Sequence, residues 1–211
     1  MRLRSWLVVL CVLAIPCPAT AAVREWRFDV TADGVSIGTH TYVVRDENGE
    51  RTVQSDMRFR VRLFVVDAYR FEHHAIETWR SDCLTSLETR TEERAATTVV
   101  SGRRVDGRFE IDGADGPAEL PACVMTFAYW NPKVLDQTHL VNAQTGVWTP
   151  ISVQSLGDDA ITVQDQPRDA RRYRITTEKN RIELWYAKDT GDWLAMRATT
   201  QNGHVLAYAL H

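Results

Sequence analysis

The chain has 211 residues, 44% of them hydrophobic and 25% charged, with 25 Lys and Arg against 28 Asp and Glu. That composition is ordinary for a globular protein, and a formal net charge of −3 argues against a polybasic face for nucleic acid or an anionic membrane. The length allows one sizeable core without a second domain.

At the start, Arg2 and Arg4 precede an apolar run from Trp6 to Ile15, and Ala19-Thr20-Ala21 follows with the small residues that signal peptidase reads. A bilayer span takes about 20 apolar residues, so the run reads as a secretory signal cleaved near Ala21 rather than as an anchor. Residues 1–21 are therefore expected to leave, and 22–211 to form a single domain in the bacterial periplasm. Cys17 follows Pro16 instead of a small residue, which argues against lipid acylation. No later stretch is apolar enough to span a membrane. Losing Arg2 and Arg4 takes 25 bases to 23 against 28 acids, a net charge near −5.

Of the four cysteines, Cys11 and Cys17 fall in the signal and Cys83 and Cys123 remain. Two thiols in an oxidising compartment are expected to pair. Closing a loop of about 40 residues stabilises by roughly 4 kcal/mol in the chain-entropy model. Their separation and the absence of a Cys-x-x-Cys motif speak against a metal or redox site.

Asp33-Gly34, Asn48-Gly49, Asp106-Gly107, Thr190-Gly191 and Asn202-Gly203 punctuate runs of β-branched and aromatic residues. Such dipeptides are hairpin signals, and five of them predict an antiparallel meander. Near the start, Trp26, Phe28 and Val30 alternate with Arg27 and Asp29. Towards the end, Ala170 to Thr177, Arg181 to Lys188, Asp192 to Thr199 and His204 to Leu210 are strands separated by short turns. The expected class is all-β, an antiparallel meander forming a curved sheet or partly open barrel.

The most regular alternation runs from Val53 to Leu63, with Val53, Ser55, Met57, Phe59, Val61 and Leu63 on one face and Arg58, Arg60 and Arg62 on the other. Tyr69, Phe71, His73, Ala75, Glu77 and Trp79 repeat the scheme. Matching like faces requires an odd loop around Val66; three residues there would set Phe59 beside His73, Ser55 beside Glu77 and Arg60 beside Glu72.

His73 and Glu77 thus project onto an otherwise aromatic face, where an imidazole or carboxylate needs a partner, water or ligand. The alternative is a core hydrogen bond for His73 and a wet rim for Glu77. Residues four apart on a strand lie about 13 Å apart and cannot chelate one ion, so no metal is expected, and no cofactor motif is present. The Arg58/Arg60/Arg62 stripe is spaced to follow an anionic surface, but Asp56 and Glu72 are near enough to neutralise it, which favours a solvated face.

From Cys123 the pattern changes. Met125, Phe127 and Tyr129 alternate as a strand that Asn131-Pro132 stops. A short helical turn is expected over Asp136 to Ala143, within a loop segment near 132–146. It either gates a cavity or plugs the core.

Trp26-Arg27-Phe28, Ile37-Gly38, Tyr69-x-Phe71-x-His73, Glu77-x-Trp79, Cys83-Leu84, Thr126-Phe127-Ala128-Tyr129-Trp130 and Asn142-Ala143-Gln144-Thr145-Gly146 together resemble a family of exported bacterial proteins known only as a domain of unknown function. The resemblance covers nearly all of the mature chain. It implies a β-rich, partly open barrel similar in outline to periplasmic lipid and lipoprotein carriers, and it implies that Cys83 and Cys123 belong together. It carries no catalytic residue.

The functional expectation is a noncatalytic periplasmic protein that binds a hydrophobic or amphipathic envelope ligand through Phe59, Tyr69, Phe71, Trp79 and Trp130, oriented by His73 and Glu77. The alternatives are an enzyme using His73 and Glu77 as acid and base on an envelope lipid or glycan, and a structural module without ligand.

Overall fold

The structure is a computed structural model that describes residues 22–63 and 66–211, with side chains 62–68 outside the description. The signal expected over residues 1–21 lies outside the described residues.

Alternating apolar and polar side chains generate eight consecutive antiparallel strands: β1 (Ala22–Ala32), β2 (Val35–Glu47), β3 (Glu50–Leu63), β4 (Val66–Arg80), β5 (Cys83–Glu93), β6 (Ala96–Val105), β7 (Arg108–Gly113) and β8 (Gly116–Pro121). A short hairpin, β9 (His139–Val141) with β10 (Trp148–Pro150), separates them from a second meander. That meander is β11 (Ser152–Val163), β12 (Gln166–Thr176), β13 (Asn180–Ala187), β14 (Trp193–Thr200) and β15 (Val205–Leu210). β15 returns to pair with β1, so the two meanders fuse into one 13-stranded sheet ordered β11-β12-β13-β14-β15-β1-β2-β3-β4-β5-β6-β7-β8.

The turns explain the regularity. Asp33 and Gly34 have φ of 50° and 82°, Asn48 and Gly49 51° and 79°, and Asp106 and Gly107 46° and 79°. Two successive positive φ values match the twist of a tight hairpin, which is why these dipeptides mark the strand ends.

The sheet curls without closing. Its edge strands are guarded against further pairing: β8 carries Pro117 and Pro121, and β11 carries a register shift between Ser155 and Gly157 followed by Asp158 and Asp159. The concave face holds the main core, including Trp26, Phe28, Val30, Trp79, Leu87, Phe109, Leu184 and Trp193.

Segment 122–151 lies across this hollow. The expected strand at Met125–Trp130 does not form; apart from one bridge, Thr126 to Val141, the stretch is irregular. Val124, Met125, Thr126, Ala128, Tyr129, Trp130 and Asn131 are all buried, because a plug inside a curled sheet has no wet side. The helical turn is also displaced from its expected place. It is a 3₁₀ turn at Pro132–Asp136, capped by the Asn131 side chain accepting from the Lys133 N–H, while His139–Val141 is strand. Pro132 sits at its first position, where a missing N–H costs nothing.

Several bonds hold the plug. The Cys83–Cys123 disulfide (Cα–Cα 4.8 Å) and the Leu84 N–H donating to Val124 O (2.9 Å) fasten its start to β5. Thr89 Oγ1 donates to Ala143 O at 2.7 Å, and on the opposite arm Tyr186 Oη donates to Tyr129 O at 2.8 Å. Gly146, at φ 79°, packs against Gly113 so closely that a Cβ on Gly113 would lie 2.4 Å from Thr145 O.

The β3–β4 pairing keeps the expected faces but not the expected register. Phe59 lies opposite Phe71, Met57 opposite His73, Ser55 opposite Ala75, and Arg60 opposite Arg70. The register shift between Val61 and Arg62 restores the parity that a longer odd loop was expected to supply, and every pair moves by two residues.

Candidate functional site

Three cross-strand rows on the concave face explain where the core is not filled. Gly38, Phe59 and Phe71 form one row, His40, Met57, His73 and Thr91 the next, and Tyr42, Ser55, Ala75 and Thr89 the third. Ser55, Ala75 and Thr89 are small, so the sheet is low at this point. The plug passes over it, leaving a partly open cavity of about 590 Å³.

Its floor is His40, Ser55, Met57, His73, Ala75 and Glu77; the plug contributes Thr126 to Trp130 and Asn142 to Thr145. The opposite arm closes it with Ile182, Trp193, Met196, Leu206 and Tyr208. Asp115, Glu178 and Lys179 stand at the exposed rim.

The buried polar groups are partly satisfied. His40 Nε2 bonds Ser55 Oγ at 2.8 Å, and His73 Nδ1 bonds Thr91 Oγ1 at 2.8 Å. Trp79 Nε1 donates to Glu77 Oε2 at 3.0 Å. His40 Nδ1, Thr126 Oγ1 and Trp130 Nε1 are buried with no hydrogen-bond partner among the described residues, and all three residues line the cavity. Burial costs such groups on the order of 1–3 kcal/mol each unless something meets them.

Burial also sets the ionisation. It pushes the Glu77 carboxyl up to about 7, the rise being held back by the adjacent Thr126 hydroxyl and the Trp79 N–H. Thr126 stands beside the carboxyl without a well-aligned hydrogen bond, so the Trp79 contact is the firmer of the two. His73 is lowered to about 4 by burial and by nearby His74, and His40 is lowered well below its usual value by burial and then by His73. Both imidazoles are neutral at pH 7.

His73, Glu77 and Trp130 line the cavity. Trp79 is wholly buried beneath it, edge-on to Trp130 with ring centroids 5.4 Å apart. Phe59 and Phe71 stack on each other at 5.6 Å in the neighbouring row, outside the lining. Tyr69 stands apart, its hydroxyl donating to Glu93 Oε1 at 3.3 Å and its ring under Arg94; burial and Glu93 raise it to about 12. His73 and Glu77 lie four residues apart along β4 and make no bond to each other.

His40, Tyr42 and Tyr208 were missed by sequence reasoning. Gly38, His40, Tyr42 and Val44 share one face by simple alternation, a signal available to anyone who extended the strand beyond its turn. On the outer face, Asp56 holds His74 at 2.8 Å and Glu72 lies opposite Arg58, so the arginine stripe is interleaved with acids. No cluster of three metal-ligating side chains exists among the described residues, and no helix among them is long and apolar enough to cross a membrane.

An open, curled antiparallel sheet with a disulfide-tethered plug over a polar-floored cavity defines a β-barrel-like protein. The chain belongs to the family described as Domain of unknown function (DUF6134), whose model matches residues 28–211. Among solved structures it is similar to the crystal structure of a beta-barrel-like protein of Domain of Unknown Function DUF1849 from Brucella abortus. That likeness has a TM-score of 0.66 at 12% identity, covering 90% of this chain and 98% of the other, and concerns the fold alone. A comparison with curated proteins returns no match.

Proposed function

We propose that the protein is a noncatalytic periplasmic binding protein whose cavity takes a hydrophobic or amphipathic envelope ligand. The carrying observation is the cavity of about 590 Å³ between plug and sheet, within the roughly 300–1,000 Å³ typical of small-molecule sites. Its walls are aromatic and aliphatic, while His40, His73 and Glu77 of the floor and Thr126 of the plug give it a polar side. An amphipathic molecule would satisfy both. Export is supported by the Arg2 to Ala21 pattern and by the Cys83–Cys123 disulfide, a bond favoured in oxidising compartments.

The ligand-contact set shifts accordingly. Trp130, Tyr42, Met57 and Tyr208 supply apolar contact, with His40, His73 and Glu77 at the polar end. Phe59, Phe71 and Trp79 shape the cavity from behind.

Native mass spectrometry of the protein purified gently from periplasm tests this reading. A reproducible lipid-like adduct, released by solvent, is expected; a clean apo mass from repeated preparations counts against it. A second reading, acid–base catalysis, draws on one observation, the Glu77 carboxyl ionising near 7 in a cavity. Turnover of an envelope lipid or glycan that disappears in Glu77→Gln would favour it.

A further inference from the structure

Resting on that binding reading, we infer that the polar end of the ligand is a cationic amine, seated at Glu77 among aromatic rings, so that the ligand class is a long-chain amine or ammonium amphiphile.

The charges of the cavity carry the argument. Its lining includes Glu77, Asp115, Glu178, the histidines His40 and His73, and a single Lys or Arg, Lys179. Asp115, Glu178 and Lys179 are at the exposed rim, whereas Glu77 is 6% exposed. Glu77 has no ion-pair partner among the described residues; its bonded contact is the neutral indole of Trp79. A buried carboxylate without a counter-ion is costly, and a ligand that brings the cation removes that cost.

The surroundings suit a cation and oppose an anion. Tyr42, Tyr129, Trp193 and Tyr208 line the same space, and the faces of such rings attract ammonium groups; Trp130 beside them already carries the Arg51 guanidinium 5.1 Å from its ring centroid. His40 Nδ1 is buried and unpartnered on a neutral imidazole, so it does not repel a positive charge. A carboxylate or phosphate head would meet Glu77 with no Lys or Arg inside the cavity and only the neutral imidazoles of His40 and His73 beside it.

The titratable groups facing Glu77 are His40 and Tyr42 from β2, His73 from its own strand, Tyr129 from the plug and Tyr208 from β15, with Asp115, Glu178 and Lys179 at the rim. The two histidines are lowered and the three tyrosines raised, all chiefly by burial, so none of these five changes charge between pH 6 and 8. Amine binding should therefore follow Glu77, weakening roughly tenfold per pH unit below 7.

The test compares dodecylamine, dodecanol and dodecanoate, each below its micellar concentration, by titration calorimetry on the delipidated mature protein. At pH 8 the amine is expected to bind at least tenfold more tightly than the other two. That preference should vanish in Glu77→Gln and, in the unaltered protein, at pH 5; the pH profile serves alone if the variant does not fold. Equal or tighter binding of the alcohol or the acid, or an amine preference that survives at pH 5, overturns the inference and leaves amphiphile binding standing. If none of the three binds, the cavity reading falls and the inference with it.

Discussion

At one end of the β3–β4 pair Phe59 and Phe71 face each other and stack at 5.6 Å, while one and two rows along, Met57 faces His73 and Ser55 faces Ala75. Both ends obey the same alternation and turn the same face inward. The first end is packed by its own strands; the second leaves space that the plug roofs but does not fill. Alternation decides which side chains point inward, and side-chain size then decides whether the interior is full.

The largest effect is expected from emptying the filled end. Phe71→Ala should cost about 3–5 kcal/mol, read as a lowered urea midpoint at unchanged slope.

Glu77→Gln should do the reverse at the polar end. The folded-state carboxyl ionises near 7 against a usual value of 4.5, so Glu77 destabilises nothing below pH 4.5 and carries its full cost above pH 7. The variant is expected to gain on the order of 3 kcal/mol at pH 8 and nothing at pH 4 in the ligand-free protein. His73 acts with opposite sign: held neutral to about 4, it contributes fully above 6.5 and loses that contribution as pH falls towards 4. Chemical denaturation across pH 4 to 8 separates the two, since Glu77→Gln should retain only the histidine-type loss in acid. A variant with the same profile as the parent would show that Glu77 is not held in this state.

Ala75→Leu builds into the cavity floor from a buried position and should cost about 1–3 kcal/mol, read by urea denaturation. Amphiphile uptake should drop by more than tenfold. Smallest is Tyr69→Ala, expected to cost about 1 kcal/mol through lost contact with Glu93 and Arg94, with ligand binding unchanged. A strong binding defect there would move the site towards the Phe59–Phe71 end.

The meander, its turns and the inward faces were legible because each rests on neighbours in sequence. The β3–β4 register was not, since alternation specifies parity and the register shift at Val61 changed the pairing by two without changing the face. The cavity was still less legible. Ser55 and Ala75 are ordinary small residues until they fall side by side, and their meaning depends on Thr126 to Trp130 arriving from a distant segment. The same distance misled the reading of that segment, whose alternation suggested a strand although burial on all sides removes the contrast on which alternation depends.

The pairing of β1 with β15 has a consequence for how the molecule is made. Asp29 and His211, joined across that seam, are 182 residues apart, so the middle of the sheet is closed by residues from opposite ends of the described chain. Each meander can assemble from local hairpins, but their union must wait for the last strand to emerge. Until then β1 shows a bare edge, a transient handle for a chaperone and a point of vulnerability to mispairing.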